Sequence, residues 1–347
     1  MIHALIRRQC AVVAAAALGV TACRGDPPNL VLLTVDTLRA DRLACYGGKA
    51  DVGASLCALG DPGIRYTWAF STAAHTVPSV VSIMTSREPH EHGITQRGYH
   101  PNLDPKIETI ATRLAAAGWS TGAFVANPIL RRPKANAGTA TSWVDRGFGI
   151  YDDEMKRSEA VRTWVHEREA GELTDAALAW VKTAREPWFL WVHSQDPHGP
   201  YWPPRADTPK DVEGDAQLPV LANESGRNGI PKYQVLGDAR ALATYARRYE
   251  DEIRHLDRNL ARLVAGIDAI GPAGILLTAD HGEAFGEDDY FFAHGHSLGI
   301  DQIRVPMFWR PARRTRAAVV PTPVSTLDAM PTLLAAAGLA IPAGLAG

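Results

Sequence analysis

Short, unbroken apolar runs alternate along this chain with longer stretches of helical period. Residues 29–35 (NLVLLTV), 188–193 (WFLWVH), 274–279 (GILLTA) and 305–309 (VPMFW) have the length and the β-branched and aromatic content of strands covered on both faces. Residues 120–126 read as a further strand. Helical stretches lie among them: 79–85, started by Pro78; 107–117, closed by Gly118; 160–184, with Thr174 or Asp175 as an internal cap; 238–267; and 327–338. In 238–267, Tyr249, Ile253, Leu256, Leu260 and Leu263 recur three and four apart, which places them on one face. Residues 202–235 are rich in Pro, Gly, Asp and Asn and read as a long surface excursion. Strands alternating with helices predict an α/β fold around a mostly parallel sheet.

Residues 1–28 stand outside that alternation. Arg7 and Arg8 precede an apolar stretch, residues 11–20, that is too short to span a bilayer and has the length of a signal-peptide core. It ends in Val20-Thr21-Ala22-Cys23, which resembles a bacterial lipobox. The expectation is a signal peptide over 1–22, cleavage before Cys23 and lipidation of that cysteine. The protein would then be lipid-anchored in a bacterial cell envelope, facing the periplasm or the cell surface. An ordinary export signal or a buried N-terminal helix is the alternative. Cys45 and Cys57 would sit in an oxidising compartment, as a disulfide or as two buried thiols.

Composition narrows the function. The 36 Lys and Arg against 38 Asp and Glu leave a net charge of −2, so no bulk field draws nucleic acid. At 46% hydrophobic there is ample material for a core. The length of 347 residues alone allows two domains or one large α/β domain. The 12 His are a mild excess, and their positions give it meaning.

Three of the buried runs end in side chains that bind metals. Asp36 follows the first; His193, Asp196 and His198 end or follow the second; Asp280 and His281 follow the third. Ligands of open α/β sheets bind beyond the carboxyl ends of the strands, so these distant residues converge. A carboxylate-imidazole set suits Zn²⁺ or Mn²⁺. Thr76 precedes the helix expected from Ser79, where a cation could lower its pKa and make it a nucleophile. Each alone has a plainer reading: Asp36 and Thr76 could be helix caps. His294 and His296 follow in AHGHSL, and Glu283 in TADHGEAFGE. Glu88, His90 and His92 form a further cluster, read as scaffold.

In order along the chain, TVDTLRADRLACYG, HTVPSVVSIMTSREPHEHGI, FLWVHSQDPHGPY, LTADHGEAFGE and HGHSLGIDQIRVP resemble the sulfatases, within the alkaline phosphatase-like superfamily. The resemblance covers roughly residues 29–340. It implies an α/β/α sandwich, one catalytic domain over 29–347, and a divalent cation (zinc, manganese or calcium, one or two). Asp36, Asp280 and His281 match the metal ligands, with Thr76 at the nucleophile and His198 at a contact to the substrate's anionic group. His294 and His296 fall where sulfatases place a Lys and two-metal relatives a His; His296 is expected beside the substrate, and His294 and Asp196 at a second metal or the substrate. The small C-terminal subdomain usual in sulfatases is expected to be absent or truncated.

Three departures bear on the chemistry. The sulfatase signature C/S-x-P-S-R reads Thr76-Val77-Pro78-Ser79-Val80 here, so neither the formylglycine precursor nor its supporting Arg is present. Thr37 replaces the second Asp of the usual Asp-Asp pair. Thr at the nucleophile resembles phosphodiesterases, phosphopentomutases and phosphoethanolamine transferases. The expected function is metal-dependent hydrolysis of a phosphate, or less favourably sulfate, ester carried on a small molecule, glycan or lipid. A phospho-headgroup transferase of the envelope and a catalytically silent binding member are the alternatives.

Overall fold

The computed structural model describes residues 27–95, 102–133, 143–159, 162–204, 210–211, 215–313 and 315–347. Residues 1–22, expected to be a signal peptide, and Cys23 fall outside the described residues.

The apolar runs form a central sheet. Its strands are β1 (Asn29–Val35), β2 (Ile64–Phe70), β3 (Ser120–Val125), β4 (Ile150–Asp152), β5 (Trp188–Ser194), β6 (Ala273–Ala279), β7 (Arg304–Arg310), β8 (Ala318–Val320) and β9 (Val324–Ser325). The order across the sheet is β8-β2-β7-β6-β1-β5-β3-β4, with β9 also on β2. All pairings are parallel except those of β7, which runs antiparallel to β2 and β6. Every residue of β1, β5 and β6 is buried, so both faces of the sheet's centre are covered.

The helices fall into two packed groups. One comprises α1 (Thr76–Thr85), α2 (Ile110–Ala116) and α5 (Ala329–Ala336); the other pairs α3 (Ala170–Val181) with α4 (Leu242–Ile270). This is the α/β/α sandwich. On α4 the buried positions Tyr249, Ile253, Leu256, Leu260 and Leu263 are the ones the period picked out. Burial of each such side chain contributes about 1.5–3 kcal/mol. Cys45 and Cys57 are joined by a disulfide, and the Asp257 carboxylate on α4 accepts the N–H groups of Ser55 and Leu56 beside it.

Three differences from the sequence reading have physical causes. Strand β2 escapes the apolar pattern because it is half-exposed, with Arg65, Thr67 and Trp68 interrupting it. The helix expected over 160–184 is shorter: Arg157–Ser158 and His166–Glu167 pair as a small antiparallel hairpin, and α3 begins only at Ala170. The start of that helix is set by Asp196, whose Oδ2 accepts the Ala170 N–H at 2.9 Å. Asp196 is thereby tied to a helix terminus, and it lies outside the group formed by Asp36, Asp280 and His281.

That commitment leaves acids crowded under the hairpin. Burial, with the negative charges of Asp196 and Glu167 beside it, pushes the Glu252 carboxyl well above the usual range, and Asp196 and Glu167 are each pushed up to about 7. Carboxyls whose pKa is raised by folding bind protons more tightly in the native state than in the unfolded chain. Their favourable contribution is complete at low pH and is lost as pH rises from the ordinary carboxylate range through about 7. We expect the melting temperature to fall between pH 5 and pH 8 on this account. Glu252→Gln should flatten that dependence and stabilise the fold at pH 8 by on the order of 1–3 kcal/mol. Parallel pH profiles of wild type and variant in thermal melts would refute this assignment.

Candidate active site

Strands β1 and β6 are neighbours in register, Val35 opposite Ala279, and the ladder continues one residue further. Asp280 N–H donates to Val35 O at 3.1 Å, and Asp36 N–H to Ser194 O at 3.0 Å. The two carboxylates are thus delivered side by side, both with 0% exposure. Asp280 Oδ1 accepts the backbone N–H of His281 at 2.7 Å and of Thr37 at 3.3 Å. Asp280 Oδ2 is buried and has no hydrogen-bond partner. Burial pushes the Asp280 carboxyl up to about 8, so that its ionised form needs a nearby positive charge.

His281 completes the set. Its Nδ1 lies 2.9 Å from Gly282 O, and a carbonyl only accepts, so Nδ1 carries the proton and Nε2 the lone pair. Nε2 is 3.5 Å from Asp36 Oδ1, 3.7 Å from Asp280 Oδ2 and 3.3 Å from Thr76 Oγ1. One ligand atom from each of Asp36, Asp280 and His281 falls within 4.8 Å of the others. Two buried carboxylates, one with an orphaned oxygen, and an imidazole in the ligating tautomer fit a divalent cation.

Thr76 is the first residue of α1, one position inside the helix where the sequence placed it before the start. His75 takes the extended position ahead of it. As the first residue of a helix, Thr76 stands where backbone N–H groups lack intrahelical partners and can meet an anion. Thr76, His75, His198 and His294 line a cleft of about 360 Å³, together with Asn127 and Tyr233.

The other histidines divide. His198 Nδ1 donates to Gly199 O at 2.7 Å, so Nε2 is the nitrogen that meets the cleft. His294 Nδ1 is held by Glu283 Oε1 at 3.2 Å, and Glu283 Oε2 in turn accepts the Tyr201 hydroxyl at 3.1 Å. Burial pushes the Glu283 carboxyl up to about 8. The His294 ring stands 4.4 Å from that of His281 and 5.3 Å from that of His198. His296 does not join them: its Nε2 meets Gln302 Nε2 at 2.8 Å and its ring stacks on Tyr290. His294, and not His296, lines the cleft. Glu88 and His92 are scaffold. Glu88 and Glu91 form a capping box, and His92 Nε2 bonds Ser82 Oγ at 3.0 Å.

Three participants were not singled out from the sequence for the roles they occupy. His75 walls the cleft. Asn127 donates from Nδ2 to Asp36 Oδ2. His193 lies under the centre, its Nε2 4.0 Å from Asp36 Oδ2, and burial, with His281 nearby, pushes its pKa down to about 3, keeping it neutral. Asn127 follows β3 by two residues, so the strand-end rule that found Asp36 and Asp280 extends to it.

Comparisons with known proteins agree with this architecture. The sulfatase family profile matches residues 28–339. An arylsulfatase of Clostridium perfringens is 23% identical over 92% of this chain and 77% of its own length. An uncharacterised Escherichia coli sulfatase, YidJ, is 23% identical over 92% of this chain and 70% of its own. Among solved structures, the phosphonate monoester hydrolase of Silicibacter pomeroyi superposes with a TM-score of 0.71 at 22% identity, covering 92% of this chain and 75% of that one. The 2-O glycosaminoglycan sulfatase BT1596 gives 0.69 at 17% identity, covering 93% and 73%. The family match spans nearly the whole described chain and includes Asp36, Thr76, Asp280 and His281: this protein belongs to the sulfatase family.

Proposed function

We propose that this sulfatase-family hydrolase cleaves phosphate esters, with Thr76 as nucleophile and a divalent cation held by Asp36, Asp280 and His281. The observation that carries the reading is the place of the Thr76 hydroxyl. It stands at a helix N-terminus, 3.3 Å from a ligand nitrogen of the acidic centre. The cation, when bound, lowers the pKa of that hydroxyl and offsets charge developing on the transferring group.

Thr76 Oγ1 forms the new bond to phosphorus as the ester oxygen leaves, giving a phospho-threonine; water then attacks phosphorus and releases phosphate, restoring the hydroxyl. His198 and His294 meet the cleft with Nδ1 engaged; a proton carried on Nε2 is donated to a substrate oxygen or to the departing alkoxide, and an Nε2 left bare takes up the Thr76 proton. The N–H groups at the start of α1 receive non-bridging oxygens. Threonine favours phosphorus over sulfur because its ester cannot expel sulfate by collapse to an aldehyde, as a formylglycine hydrate can. Two of the structural neighbours are phosphonate monoester hydrolases and others act on sulfated saccharides, so both ester classes belong in the assay. The cleft wall built by Arg162, Glu224 and Tyr233 suits a polar alcohol part, such as a glycan. The lipobox adds a location: an envelope protein tethered through Cys23.

In assays with p-nitrophenyl phosphate, bis-p-nitrophenyl phosphate and p-nitrophenyl sulfate, we expect metal-dependent turnover that is highest on a phosphate ester. Loss of a nucleophile should reduce it in Thr76→Ala by on the order of 10³-fold or more. Unchanged turnover in that variant defeats the nucleophile, and faster sulfate turnover defeats the substrate class.

Gly295 has φ +81°, and a Cβ there would stand 1.8 Å from His75 Cε1. Gly295→Ala should displace the His75 wall and lower kcat/KM by about tenfold or more, whereas wild-type kinetics would show the wall to be dispensable. Metabolic labelling with palmitate should mark the wild type and spare Cys23→Ser; label retained in the variant removes the anchor.

A further inference from the structure

The Asp36 carboxylate has two oxygens with different duties. Oδ1 faces His281 Nε2 at 3.5 Å, on the side of the cation. Oδ2 points the other way, toward Asn127 and His193. His193 cannot bond it at 4.0 Å, and its Nε2 is buried without a hydrogen-bond partner. The ring is held instead through Nδ1, 2.8 Å from Thr34 Oγ1, which also accepts the Trp191 indole N–H at 2.9 Å. The hydrogen bond that fixes Oδ2 comes from Asn127.

The direction of that bond follows from the local backbone. Asn127 Oδ1 accepts the Ile129 N–H at 2.9 Å, capping the short turn Pro128–Leu130. With the amide oxygen so engaged, the NH₂ end must face Asp36, and it can only donate. A donor there holds the carboxylate from rotating and stabilises its ionised form in a site that excludes water. Asn127 is itself 5% exposed and also lines the cleft, so the same residue joins the substrate wall to the ligand set.

We propose that Asn127 is a positioning residue of the metal centre: through Asp36 it sets how tightly the cation is held. It acts through the Asp36 carboxylate and is not itself one of the proposed ligands. The inference rests on the metal reading above, and the experiment separates the two.

The full chain is stripped with a chelator and titrated with Zn²⁺ and Mn²⁺ by competition against a metal indicator. Wild type is compared with Asn127→Ala and Asn127→Ser. Serine keeps a side-chain acceptor for the Ile129 N–H, preserving the turn, but is too short to reach Asp36, so it removes only the donor. We expect both variants to bind about 10–100-fold more weakly, with the metal-free Asn127→Ser protein melting within a few degrees of wild type. Affinity of Asn127→Ser within threefold of wild type, measured on folded protein, overturns the role given to Asn127. A wild type that binds neither cation overturns the metal reading itself.

Discussion

Two carboxylates buried edge to edge govern the rest of this molecule. Asp36 and Asp280 leave adjacent parallel strands in the same register, and neither touches solvent. Removing one such charge from water costs several kcal/mol, and bringing a second beside it adds repulsion. The backbone N–H groups of Thr37 and His281 offset part of this at Asp280 Oδ1 but leave Oδ2 bare. A divalent cation removes both costs together, which is why the geometry reads as a metal site and not as a misplaced ion pair. The sheet makes the arrangement enforceable. β1 and β6 are buried along their whole length, so the acids cannot withdraw to solvent without dismantling the core.

Around that centre the histidines are set by what accepts from them. His281 and His198 each give Nδ1–H to the carbonyl of the following glycine, and His294 gives it to Glu283. Two of these acceptors are backbone atoms one residue away, so the tautomer is fixed by local chain geometry. The third is a side chain braced by Tyr201. His294 thus differs from the other two in meeting a side chain, one carried on the same loop-and-strand end as the ligand His281.

Much of the fold and the centre of the site could be read from sequence because they follow from short-range rules. A run of seven apolar residues ending in Asp is a strand with a ligand at its carboxyl end whatever surrounds it, and this located Asp36 and Asp280. His281 and Thr76 came from adjacency and from a proline-started helix. What stayed hidden depends on partners far along the chain. Asp196 sits two residues before His198, yet its carboxylate closes the first turn of a helix more than twenty residues upstream. His294 and His296 share a loop and differ only in which side of it they face. The first meets Glu283 and the second Gln302, and no period in HGHSL distinguishes them. Strand β2 shows no run because at the half-exposed side of the sheet its burial is shared with Arg65 and Thr67.

The same reasoning explains why Thr37, in place of a second acid, leaves the centre intact. An added carboxylate at that position would bring a third negative charge into a pocket already holding two, and would need more positive charge to offset it. This chain meets the remaining oxygen of Asp36 with a neutral amide from the loop after β3. The Thr37 side chain stays buried while its backbone N–H serves Asp280, at φ 53°, a left-handed conformation uncommon for threonine. Residue 37 therefore contributes through its backbone. That strained turn brings the start of β1's exit loop over Asp280, and Tyr249 on α4 pins it from outside by donating its hydroxyl to Thr37 O at 2.6 Å. The longest helix of the sandwich thereby reaches the metal centre through one tyrosine. Packing on the α4 face and the shape of the ligand set are in this way a single constraint.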